Sequence, residues 1–390
     1  MISNNMIYLD NSATTALCAE ARAAMEAAFD NYGNPSSLHK AGLEAHKIMT
    51  DSRAQVLKAL GVRGVTSGQL VFTASGTEAN NTAIFGTVYA KKRRISNRII
   101  TTDSEHPAVE NSLKRLETDG FEVIRIPTKG GVLDFDAYAE ALKTPPILVT
   151  LMMVNNETGA RYDVGKAFKM AKKANPETVT HCDAVQGFLK CNFTPDSISA
   201  DLVTVSAHKI HGPKGVGALY IAQSLLKAKK IIPFMCGGEQ EFDFRPGTEN
   251  TVGIAGFGAA AEIGFSKLSH NIEKMASLRD YAIEKMSSLE LSLNIPNGER
   301  APHIVNITLP NIKSETMLHF LSSKDICISS GSACSSHSKK TSRALLAFGL
   351  SERQADCSLR VSLCETNTID DIDKLTDALG EGISTLVRFK

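Results

Sequence analysis

The sequence predicts an α/β protein with two domains: a large one with a mostly parallel central sheet flanked by helices, and a smaller α+β one. Three features point there. The middle of the chain alternates short apolar, β-branched runs with helical stretches, the pattern of a sheet covered by helices on both faces. After Gly256 that alternation gives way to a long amphipathic helical pattern over roughly residues 251–288. A chain of 390 residues, 43% of them hydrophobic, can also bury a large core and support more than one domain.

In chain order, residues 70–73 read as a strand, 74–77 as a turn and 78–84 as the opening of a helix. Residues 98–101 form the next strand, followed by Asp103-Ser104-Glu105-His106-Pro107. Residues 147–154 read as a strand, 163–175 as a helix and 178–182 as a strand that delivers Asp183. Leu202, Val203 and Val205 mark a buried strand that runs into a turn fixed by Gly212, Pro213 and Gly215. Beyond the long helix, 303–309 is the clearest strand of the smaller unit. The boundary falls within that helix, near residue 262, giving a large domain over 13–262 and a small one over 263–390.

Composition excludes several classes of function. A net charge of +1 gives no strong draw to nucleic acid or to a membrane surface. No apolar stretch approaches the ~20 residues that span a bilayer. The densest basic run, Lys91-Lys92-Arg93-Arg94, stands alone without interleaved aromatics and reads as a solvated helix end. Eight cysteines lie at 18, 182, 191, 236, 327, 334, 357 and 364, with no CxxC pair and no zinc-ligand spacing. With no basic-apolar leader, a reducing, cytoplasmic setting is expected, and most of these thiols should be buried small hydrophobes.

The most informative stretch is SAHKIHGPKG, residues 206–215. It sets a hydroxyl (Ser206), an imidazole (His208) and an amine (Lys209) at the exit of a buried strand. Held against apolar walls, such an amine becomes the nucleophile that bonds an aldehyde cofactor. Pyridoxal phosphate (PLP) also needs a carboxylate at its pyridine nitrogen, a phosphate cradle and a group against its ring. Asp183 ends a strand where α/β sheets bind ligands, although alone such a residue is more often a cap; Gln186 follows within reach of a ring oxygen. Gly76 permits close approach of an anion, and Thr77 is expected at the N-cap of the next helix. The turn is neither a Walker loop nor GxGxxG, which favours a single phosphate over a nucleotide. His106 is the candidate for ring stacking, though by itself it reads as a structural histidine.

Taken in this order, these residues resemble the fold-type I PLP enzymes of the class V aminotransferase group, and within it the NifS-like, group I cysteine desulfurases. YLDNSATT (8–15), NPSSLH (34–39), VNNETG (154–159) and RPGTEN (245–250) carry the likeness along with the segments above. The resemblance implies that Lys209 holds PLP, Asp183 pairs with the pyridine nitrogen, Gln186 meets the ring oxygen and His106 stacks. It implies that Asn156 lies near the ring and that Gly76, Thr77, Ser206 and His208 hold the phosphate. Thr248 would reach it from the second subunit of a homodimer, and residues 1–12 would return to the small domain.

Cys334 separates a desulfurase from its aminotransferase relatives. It lies in SSGSAC (329–334), followed by Ser335-Ser336-His337-Ser338-Lys339-Lys340, a small, polar run that reads as a mobile loop with cationic neighbours favouring thiolate. The resemblance implies that Arg360 grips the carboxylate of L-cysteine and that Cys334 takes its sulfur as a persulfide. L-alanine is the other product, and the sulfur passes to an acceptor in iron–sulfur cluster assembly or tRNA thiolation. A selenocysteine lyase or an aminotransferase on the same fold is the alternative reaction, and a PLP-free scaffold the non-enzymatic one. The chain departs from its relatives at Glu239–Phe244, which replaces a third glycine with an acid and brings two aromatics, and at Cys364, where glycine is common.

Overall fold

The computed structural model describes residues 6–62, 68–90, 96–330 and 341–389. Cys334 and the basic run 91–94 lie outside the described residues.

After a two-residue strand, β1 (Ile7–Tyr8), seven strands make one sheet: β2 (Gly68–Thr73), β3 (Arg98–Thr102), β4 (Glu122–Ile126), β5 (Leu148–Met152), β6 (Val179–Asp183), β7 (Leu202–Ser206) and β8 (Gly217–Ala222). Their order is β2-β8-β7-β6-β5-β3-β4. The run β7-β6-β5-β3-β4 is parallel, and β8 is antiparallel to both β7 and β2. β2 therefore points the same way as the parallel strands. The exits of all six of these strands, β2 to β7, open on one edge, the place where such sheets bind ligands. Every residue of β5, β6 and β7 is buried, as a sheet sandwiched between helices requires.

The long helix expected over 251–288 is two helices, Thr251–Ser266 and Leu268–Met286, broken at Lys267 (φ −111°, ψ 10°). Only the second is amphipathic. The first is apolar nearly all round because it is enclosed by the helices Ala19–Phe29 and Lys40–Ala59. A Cβ on Gly256 would come within 2.7 Å of Met25, and one on Gly258 within 2.7 Å of the Ser52 backbone. Glycine lets these helices approach that closely.

A second core lies apart from the first. It joins Ile7 and Leu9 to Leu278, Met286, Ile307, Leu359, Val361, Leu375 and Leu379. Here β10 (Ile304–Thr308) pairs antiparallel with both β9 (Ser292–Leu293) and β12 (Ser358–Ser362), while β11 (Ile326–Cys327) runs parallel to β1.

Candidate active site

One cavity at the exits of the sheet strands gathers most of the residues singled out from the sequence. Gly76, Thr77, His106, Asn156, Asp183, Gln186, Ser206, His208, Lys209 and Arg360 all line it. Thr248 does not; it is exposed on the surface of the single chain.

Lys209 sits in the single 3-10 turn, Ala207–Lys209, that leaves β7. Its Nζ donates to the carbonyls of Ser12 (2.6 Å) and Ala13 (2.7 Å). The amine is thus held by two carbonyl oxygens, where the sequence reading expected apolar walls. The N-terminal segment 12–15 is the device that positions it: Thr15 Oγ1 donates to the His208 carbonyl at 3.0 Å and accepts the His211 N–H at 2.7 Å. Gly212 permits the tight return, since a Cβ there would lie 2.9 Å from the Ala207 carbonyl oxygen.

Asp183 closes β6. Its carboxylate accepts from Asn80 Nδ2 (2.8 Å) and the Val185 N–H (3.0 Å). Two residues back, His181 bridges Thr150 (2.8 Å) and Thr204 (3.0 Å), and complete burial pushes its pKa down to about 3. It is a neutral strut across β5, β6 and β7. Gln186 donates to the Ser12 carbonyl at 2.9 Å, and its oxygen lies 3.2 Å from His303 Nε2. One amide hydrogen is therefore committed, leaving the other for a ligand.

His106 caps the helix Pro107–Thr118, its Nδ1 accepting the Ala108 N–H at 3.1 Å. The same histidine both caps this helix and lines the cavity. Accepting at Nδ1 puts the ring hydrogen on Nε2. Burial, and the Lys209 charge, lower its pKa against the pull of Asp183, so the ring is neutral. Its chain neighbour Glu105 accepts from Thr102 Oγ1 (2.7 Å) and the Met152 N–H (3.0 Å), and burial raises its pKa to about 8. Its other oxygen has no partner among the described residues.

At the cradle, the N-cap is Ser75 and not Thr77. Ser75 Oγ accepts the Glu78 N–H at 3.1 Å, so the helix Gly76–Val88 begins two residues earlier than expected. Its first N–H groups have no intrahelical acceptor and carry the positive end of the helix dipole. His208 faces this side, with Nδ1 3.3 Å from Thr14 Oγ1, and burial together with the Lys209 charge takes it down to about 4.

Arg360, in β12, is 1% exposed. It donates to the Asn156 carbonyl (2.8 Å) and to Asp10 (2.7 Å). Ser329 exchanges backbone hydrogen bonds with Arg360, and Ser342 donates to Glu157 at 2.6 Å. Both flanks of the segment containing Cys334 are thereby tied to the rim of this cavity.

Sequence reading missed Ser12, Asn80, Glu105 and Asp10 as members of the site. Asn80 left a trace: it stands three residues after Thr77, an amide in a helix whose other buried residues are small, apolar or threonine.

Four cavity-lining groups are buried without a partner among the described residues: Ser12 Oγ, Asn80 Oδ1, Ser206 Oγ and Arg360 Nε. Leaving such groups unmet costs about 1–3 kcal/mol each, so the cavity suits a ligand rich in polar atoms. The donor set fits PLP: an anion site at a helix start, a carboxylate at a strand end and a lysine between them.

A family profile described as "Aminotransferase class-V" matches residues 7–375. The chain belongs to that family. It is similar to a cysteine desulfurase of Trichormus azollae, with 38% identity over 98% of this chain and 94% of that one. A solved NifS-like protein matches at TM-score 0.89 and 34% identity, covering 98% of this chain and all of its own. A structure described as "SspA in complex with cysteine" matches at TM-score 0.78 and 28% identity, over 93% of this chain and 99% of its own. Within the family the chain groups with the NifS-like cysteine desulfurases, whose cofactor is PLP.

Proposed function

We propose that this chain converts L-cysteine to L-alanine and passes the sulfur on, with Lys209 as the cofactor-bearing residue. The observation that carries this reading is the single cavity in which Lys209, Asp183 and Arg360 converge. Bound through Lys209, PLP supplies an electron sink for the bonding pair freed at the substrate Cα.

The roles follow from position. Asp183, oriented by Asn80, keeps the pyridine nitrogen protonated. Gly76, Thr77, Ser206 and His208 take the phosphate, Gln186 takes the ring oxygen and His106 covers the ring face. Arg360 and Asn156 hold the substrate carboxylate, with Asp10 fixing the guanidinium. As a free amine, Lys209 would carry the proton away from Cα, and neutral His106, with a hydrogen on Nε2, would stand beside the substrate thiol. Cys334 thiolate attacks the substrate sulfur. The carbon–sulfur bond breaks with its electron pair staying on carbon, a proton follows, and the sulfur remains on Cys334 as a persulfide. The acceptor is a protein of iron–sulfur cluster assembly or of tRNA thiolation.

The enzyme works as a cytoplasmic homodimer in which Thr248 completes the phosphate site of the partner subunit. No helix among the described residues is long and apolar enough to cross a membrane. The division into 13–262 and 1–12 with 263–390 assigns Lys209 to the large domain and Cys334 to the small one.

Cys334→Ala tests the reading. Cofactor absorbance should persist while sulfide release from cysteine falls to background. Retained turnover with a keto-acid acceptor would favour an aminotransferase instead.

A further inference from the structure

Behind the N-terminal segment that holds Lys209, three chemically different donors converge. His211, Cys364 and Glu365 place one nitrogen, one sulfur and one oxygen all within 4.8 Å of one another. We propose that they form a binding site for a thiophilic divalent cation, Zn²⁺ being the best match, separate from the cofactor cavity.

The ligand atoms are already aimed. His211 Nδ1 lies 2.9 Å from the Ala16 carbonyl, which can only accept, so Nδ1 carries the hydrogen and Nε2 faces inward. A carbonyl on the outer nitrogen is the usual support of a metal-bound imidazole. Nε2 is 3.3 Å from Glu365 Oε1, a separation two ligands of one small cation can share. The backbone is held as well: His211 has φ 64°, pinned by Thr15 Oγ1 and by the Cys18 N–H on its carbonyl. The Cys364 N–H is taken by Asn367 Oδ1 at 2.9 Å. Nitrogen, sulfur and oxygen ligands suit zinc, and three protein ligands leave a fourth tetrahedral position for water. The Glu365 side chain is 28% exposed, which gives the ion an entry path.

Each ligand atom must be free of its proton to bind, so binding should weaken as pH falls. An occupied site would join the turn after Lys209 to the strand exit after Arg360, two parts of the active site contributed by distant segments.

The test uses PLP-loaded protein carrying Cys334→Ala, so that the sulfur-transfer thiol adds no zinc ligand. Zinc titration by calorimetry should give one ion per chain, with proton release at neutral pH and a raised melting temperature. Cys364→Ser should weaken binding by about tenfold or more. Glu365→Gln, on the more exposed ligand, should weaken it without disturbing the fold. Equal zinc affinity in the parent and both variants, or no zinc binding by a folded, yellow parent, would overturn the site.

Discussion

Glu105 is the residue whose chemistry is most at odds with its surroundings: a buried carboxyl with one oxygen unmet among the described residues. Burial raises it from 4.5 to about 8. Below pH 4.5 both folded and unfolded chains hold the proton; above that the unfolded chain releases it first. Stability from this group is therefore complete below pH 4.5 and is lost as pH climbs toward 8, by at most about 1.4 kcal/mol per pH unit. Glu105→Gln should remove that slope, so its stability advantage over wild type in urea melts should grow between pH 5 and 8. A constant difference across that range would contradict the assignment. Arg360 makes the second prediction at this scale. Arg360→Lys keeps the charge but loses the fork, and should raise KM for cysteine by about tenfold or more while cofactor absorbance stays. The sequence showed Lys209, Asp183 and His106 because each closes a strand or opens a helix. It did not show that the carbonyls of Ser12 and Ala13 would receive the amine, since backbone acceptors from a distant segment leave no residue-type signal.

At the scale of elements, the cradle depends on the close fit of β8 against the turn before the helix Gly76–Val88. A Cβ on Gly217 would lie 2.6 Å from the Ser75 carbonyl carbon and 2.8 Å from the Gly76 nitrogen. Both are backbone atoms that cannot rotate away. Gly217→Ala should push the cradle outward, costing about 1–3 kcal/mol of stability and lowering PLP affinity, measured by melting temperature and cofactor titration. The strands were legible because buried β-branched runs end in turn residues, and β3, β5, β6, β7 and β10 fall within a residue or two of their expected bounds at most ends. The helix break at Lys267 was not legible, because no proline or glycine stands there and helical periodicity runs through it. The Thr77 cap was missed by two residues because Ser75 and Thr77 are both good caps; only the extended backbone of Ser75 (φ −170°) decides between them.

Across the whole molecule, the active site is assembled from segments far apart in the chain: residues 10–13, the strand exits of the sheet and Arg360 near the C-terminus. Leu9 couples them, fully buried in the second core while its neighbour Asp10 holds Arg360. Leu9→Ala should cost about 2–5 kcal/mol and also raise KM for cysteine. The exposed Thr248 bears on assembly. Thr248→Val should leave the mass in light scattering the same as that of the parent but reduce cofactor affinity; unchanged affinity would remove Thr248 from the phosphate site. The large-scale pattern of the chain was readable because sheet and helix periodicities differ. Which distant side chains would meet was not, since this is settled by tertiary packing and is written in no single segment. The most direct measurement is borohydride reduction of the PLP-loaded protein followed by peptide mapping. One labelled peptide is expected, carrying the reduced cofactor on Lys209; label on any other lysine, or none, would contradict the assignment of Lys209.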